Sequence, residues 1–127
     1  MVRRRMLRWH TPDFVYLPDS SLDFTVTKYH SLLLALQEAG YRFCTFRRFM
    51  EEGQPDRTVV LRHDVDRLPG NALRLARLEA DMGVEATYYF RIVPQSLQPE
   101  IIREIAETGH EIGYHYENLS DAHGDTQ

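Results

Sequence analysis

The chain is short of several things, and each shortage narrows what it can do. It has a single cysteine, Cys44, in 127 residues, which excludes an internal disulfide framework and a cysteine-based zinc site within the chain. No apolar run approaches the roughly 18 residues that a membrane-spanning helix needs. Positive charge is in deficit, with 15 Lys+Arg against 19 Asp+Glu and a net charge of −4. That balance argues against nucleic acid as a partner, because non-specific binding depends on a basic face that displaces counterions. No glycine-rich phosphate loop follows any candidate strand, and no Gly-x-Ser-x-Gly elbow is present, so nucleotide-binding and serine-hydrolase templates both fail. The start, Met1 to Trp9, carries Arg3, Arg4, Arg5 and Arg8 but no apolar stretch after them. It reads as a solvated basic tail rather than a secretory signal, which leaves the cytoplasm as the default compartment. What remains is 43% apolar and 27% charged, the balance of an ordinary globular domain long enough to bury a core.

Residues 1–24 are irregular, with Pro12, Pro18 and the polar cluster Asp19-Ser20-Ser21, and read as a leader ahead of a domain over 25–127. From Thr25 the period turns helical. Tyr29, Leu32, Leu33, Leu36 and Ala39 fall on one face, Thr25 or Thr27 stands at the start, and Gly40 is at the stop. A short strand is expected over Tyr41–Thr45, with Cys44 as a buried structural thiol, and then a short helix from Phe46 to Glu52 closing at Gly53. Thr58-Val59-Val60-Leu61 is a compact β-branched strand. Asn71 to Met82 is amphipathic, Ala86 to Phe90 is a strand whose aromatic trio suits core packing, and Pro99 to Thr108 is a helix with Ile101, Ile102 and Ile105 inward. Glu111 to Tyr116 is a further strand. Strands alternating with helices at this spacing predict an α/β fold with parallel strands and right-handed crossovers.

Two clusters stand at strand ends, where α/β folds place their ligands. Asp64 and Asp66 are two residues apart, so in a persisting strand both carboxylates project to one side, with His63 and Val65 opposite. Like charges about 6–7 Å apart in a strand mouth repel unless a cation lies between them. A hard divalent ion meets that need and leaves one carboxylate free as a base. In the second cluster, Gly109 to Glu117, alternation puts Gly113, His115 and Glu117 on one face and Ile112, Tyr114 and Tyr116 on the other. The second face is apolar enough to pack under helices, which turns His115 and Glu117 into the mouth; a neutral imidazole there suits a borderline metal such as zinc. His110, at the turn before this strand, is expected to cap or lie at the surface. His10, His30 and His123 carry no supporting pattern.

The ordered set Thr58-Val59-Val60-Leu61-Arg62-His63-Asp64-Val65-Asp66, Gly83-Val84-Glu85-Ala86-Thr87-Tyr88-Tyr89-Phe90 and Gly109-His110-Glu111-Ile112-Gly113-Tyr114-His115 resembles the polysaccharide deacetylase family of carbohydrate esterases. The match is to the branch whose two acids are spaced by one residue, and it runs from about Thr25 to Asn118. The resemblance implies a parallel-stranded partial (β/α) barrel. It also implies Asp64 as catalytic base, Asp66 and His115 as ligands of a divalent metal, zinc foremost, and hydrolysis of N- or O-acetyl groups on a carbohydrate. The family places a second histidine four residues beyond the first, where this chain has Leu119; Glu117 or His123 are the candidates to replace it. A full barrel takes about 250 residues, so the chain reads as the truncated N-terminal part of one, with an open sheet edge available for association. In that reading it is incomplete as a hydrolase, because the family's later arginine segment and general-acid histidine are not in it. A non-catalytic fragment or remnant that binds carbohydrate or a protein partner is the alternative. Phosphotransfer or glycosyl transfer at an Asp-x-Asp pair leaves the Gly109–His115 segment unexplained.

Overall fold

The computed structural model describes residues 25–53 and 55–116. The leader expected over 1–24, together with Glu117, Leu119 and His123, lies outside the described residues. The chain divides into two compact units, Met1–Gly40 and Tyr41–Gln127.

In the first unit, α1 spans Val26–Glu38. Thr25, in an extended conformation, caps it by accepting a hydrogen bond from the Lys28 amide at 3.1 Å. Tyr29 and Leu33 are its buried residues. Leu32, expected on the same face, is exposed: it lies roughly 100° around the helix from Leu33, and the buried stripe is narrower than the apolar one.

The second unit runs β1 Arg42–Cys44, α2 Phe46–Glu52, β2 Thr58–Val60, β3 Arg62–Val65, α3 Pro69–Asp81, β4 Thr87–Phe90, α4 Pro99–Glu107 and β5 Glu111–Tyr114. All pairings are parallel. β1 pairs with β2, and β3, β4 and β5 form a three-stranded sheet in that order. Helical crossovers α3 and α4 supply the length that parallel neighbours require. Among the described residues these are two small open sheets in a mixed α/β arrangement, with no closed barrel.

The core joins Val65, Ala86, Tyr88 and Phe90 of the sheet to Ala72 and Ala76 of α3 and Ile105 of α4. Small residues at positions 72 and 76, one turn apart, bring α3 close and leave the volume to the aromatic rings of β4. The strand alternation sends Tyr88 and Phe90 inward and leaves Tyr89 half-buried on the other face. α3 starts at Pro69 rather than at Asn71. Proline at the first helical position has its φ already set and loses no needed donor, and Leu68 before it turns the chain with φ +56°.

α2 has seven residues and borrows its start from elsewhere. The Phe46 amide donates to Thr87 Oγ1 (2.9 Å), the Arg47 amide to Glu111 Oε2 (2.9 Å) and the Arg48 amide to Thr45 Oγ1 (3.2 Å). Three orphan donors of the first turn are thus satisfied, two of them by the entries of β4 and β5. Cys44, at the end of β1, is half-buried; burial pushes its thiol pKa up, with the Arg48 charge partly opposing.

Two expectations at the last strand are corrected. His110 is neither a surface residue nor an exposed cap: it is buried, its Nδ1 accepting from the Ala86 amide (3.1 Å) and its Nε2 donating to the Ala76 carbonyl (2.8 Å). An imidazole can satisfy one donor and one acceptor at once, and here it ties α3 to the entry of β4. Tyr114 and Tyr116 are exposed rather than packed under helices, their rings 5.8 Å apart. Of their face only Ile112 meets the core. Among the described residues no helix is long and apolar enough to cross a membrane.

Candidate functional site

β3 carries Asp64 out of the core because its neighbours go in. Val65 is buried, His63 is half-buried on the helix side, and Asp64 and Asp66 are exposed. β5 delivers His115 from two strands away. Its amide donates to the Phe90 carbonyl at 2.9 Å, which extends the β4–β5 ladder one step past Tyr114 and fixes where the imidazole emerges.

The three side chains meet. His115 Nδ1 is 3.4 Å from Asp66 Oδ1, and Nε2 is 3.7 Å from Asp64 Oδ2. Each ring nitrogen therefore faces a different carboxylate. His115 Nδ1 is itself buried and has no hydrogen-bond partner among the described residues. A buried ring nitrogen in that state needs a reason, and a cation shared with Asp66 supplies one. With metal–oxygen and metal–nitrogen bonds of about 2.0–2.2 Å, two tetrahedral ligands stand about 3.3–3.5 Å apart, the separation seen between Nδ1 and Oδ1. The nitrogen–oxygen donor pair also suits a borderline divalent ion. Glu117, the further ligand expected from sequence, lies outside the described residues. Among the described residues no cluster of three or more His, Cys, Asp or Glu side chains is arranged to hold a metal, so the fit rests on the pair Asp66 and His115.

Asp64 is oriented by a neighbour on its own strand. Its Oδ1 accepts from Arg62 Nε at 2.7 Å, and that bond pushes the Arg62 pKa further up, so the guanidinium is a permanent cation. Arg62 in turn lies 4.3 Å over the Tyr89 ring. Tyr89 is laid flat across Gly113, its register partner on β5. A Cβ at position 113 would stand 2.5 Å from Tyr89 Cε1, so glycine there makes the stack possible. Gly113→Ala is expected to displace the ring and cost about 1–3 kcal/mol, read as a lowered urea midpoint. Adding Tyr89→Ala removes the clash and should recover much of that loss. Beside β3 a cleft of about 330 Å³ is lined by Asp64 together with His63, Leu68, Asn71, Leu75 and Tyr88; neither Asp66 nor His115 lines it.

One constellation has no counterpart in the sequence expectations. Glu79 of α3 is fully buried. Its Oε1 is 2.6 Å from His63 Nε2, its Oε2 accepts from the Tyr88 hydroxyl at 2.6 Å, and His63 stacks on Tyr88 with centroids 4.4 Å apart. The signal available in sequence was weak: Glu79 stands one turn beyond Ala76 and two beyond Ala72 on the inward face, where an acid is out of place.

Comparison of the chain with protein-family models, with curated proteins and with solved structures returned no match.

Proposed function

We propose that the chain is the site-bearing part of a metal-dependent deacetylase, a hydrolase that removes N- or O-acetyl groups from a carbohydrate. The observation that carries this reading is His115 standing between Asp66 and Asp64, its buried Nδ1 turned to Asp66 and without a hydrogen-bond partner among the described residues. The ordered motifs that resemble the polysaccharide deacetylases support it.

In this reading Asp66 and His115 hold the divalent ion, zinc foremost. When bound, that ion polarises the acetyl carbonyl and makes water a better acid. Asp64 is the general base. Arg62 occupies its Oδ1, which leaves Oδ2 to take the proton of the attacking water. Once protonated, Asp64 can return the proton to the leaving amine or alcohol. The cleft beside β3 gives an acetylated sugar room next to that carboxylate.

Calorimetric titration of the chain with Zn²⁺ or Co²⁺ tests the site. One equivalent is expected to bind, and Asp66→Ala and His115→Ala are each expected to remove that binding. A wild-type chain that takes up neither ion overturns the metal centre. That outcome would favour the non-catalytic reading, a carbohydrate- or protein-binding module, which the presence of two rather than three converging ligand residues among the described ones already keeps in play.

A further inference from the structure

A carboxylate with no solvent exposure costs several kcal/mol unless its surroundings compensate it, so the place of Glu79 in the fold is informative. It reaches from α3 to one rung of the sheet, where His63 of β3 and Tyr88 of β4 are register partners, and takes a 2.6 Å hydrogen bond from each. His110 flanks the group, with Nε2 3.8 Å from Glu79 Oε2, but its two ring nitrogens are committed to Ala76 and Ala86. Both nitrogens are then used as in a neutral ring.

The rung after this one carries Asp64. Among the described residues β3 is paired along one side only, so its roll about its own axis depends on what its side chains are bonded to. Side chains of successive residues point to opposite faces, so a roll that moves His63 moves Asp64 in the opposite sense. On the helix side the roll is stopped by the bond from His63 to Glu79. At the strand's end Ser96, fully buried, donates to the Val65 carbonyl, which anchors the backbone immediately before Asp66. We infer that Glu79 is a positioning residue for the Asp64–Asp66–His115 site, acting through His63 to set the roll of β3. The inference rests on the metal-centre reading for its consequence in binding, though not for its consequence in geometry.

The test replaces the buried trio by apolar side chains of similar volume, Glu79→Leu with His63→Leu and Tyr88→Phe. Such replacements commonly preserve stability, so packing and positioning come apart. Two readouts are taken: Co²⁺ or Zn²⁺ titration, and the His115 ring resonances in long-range ¹H–¹⁵N spectra of the metal-free chain. The expected result is a folded variant whose His115 ring resonances move and whose metal binding is at least tenfold weaker, the range by which outer partners of metal ligands act. A folded variant with unmoved resonances and wild-type affinity overturns the inference. If the wild-type chain binds no metal, the proposed function falls by itself. The ring resonances still decide this inference, shifted supporting it and unshifted overturning it. Should the triple variant not fold, Glu79→Gln decides. Its carbonyl oxygen can stand at only one of the two carboxylate positions, with an NH2 group at the other, so ring shifts with at least threefold weaker binding are expected, and wild-type behaviour overturns the inference.

Discussion

Asp64→Asn is expected to lower the rate of acetyl release from an acetylated oligosaccharide by 10²–10⁴-fold, the usual worth of a positioned proton acceptor, while metal uptake persists. The substitution is close to isosteric, and the amide oxygen can still accept from Arg62, so the stack on Tyr89 and Gly113 has no reason to rearrange. What is lost is the ability of Oδ2 to take a proton. The ligand atoms assigned to the ion, Asp66 Oδ1 and His115 Nδ1, are untouched. The comparison with Asp66→Ala and His115→Ala therefore separates two roles within one small cluster, proton acceptance at position 64 and cation holding at positions 66 and 115. Turnover is measured by released acetate and occupancy by calorimetry on the same preparations. An Asp64→Asn chain as active as the wild type would remove the base from position 64.

The second large effect concerns stability. Glu79→Ala leaves the Tyr88 hydroxyl and the His63 ring without the carboxylate they share, and it opens a cavity where a fully buried side chain stood. Breaking a buried polar pair from one side costs about 3–5 kcal/mol, and a domain of this kind has about 5–15 kcal/mol in total. The urea midpoint is expected to fall accordingly, by far more than an exposed salt bridge such as Arg48–Glu52 could account for. The triple apolar replacement should be much closer to wild type. That ordering, single variant worse than triple, marks a desolvated group in need of partners rather than a packing defect.

How far the sequence could be read depended on whether the relevant physics was local. α2 is found over Phe46–Glu52 as expected, because Thr45 caps one end and Gly53, with φ +85°, closes the other. The face shared by Asp64 and Asp66 follows from strand alternation, whereas the turning of His115 towards them rests in sequence on burial of Tyr114 and Tyr116, both of which are exposed. Alternation tells which residues share a face, however, not whether anything covers that face; this is why Tyr114 and Tyr116 were placed inside and are found outside. His110 and Glu79 escaped for a different reason. Their burial depends on atoms far away in the chain, 34 residues to Ala76 in one case and 16 to His63 in the other, and a periodic pattern carries no information on such pairings. Arg62 was visible only as the polar residue before the motif. Its grip on Asp64 is a same-face contact two residues along one strand, whereas its seat on Tyr89 depends on the neighbouring strand.

The borrowed start of α2 bears on the order in which the molecule assembles. Seven residues are too few for a helix to persist alone in water, and the oxygens that accept from Phe46 and Arg47 lie 41 and 64 residues downstream. α2 therefore gains two of its first-turn acceptors only when β4 and β5 stand alongside each other. It is expected to become protected from amide exchange together with the slow, non-local joining of parallel strands, although its own residues come much earlier in the chain.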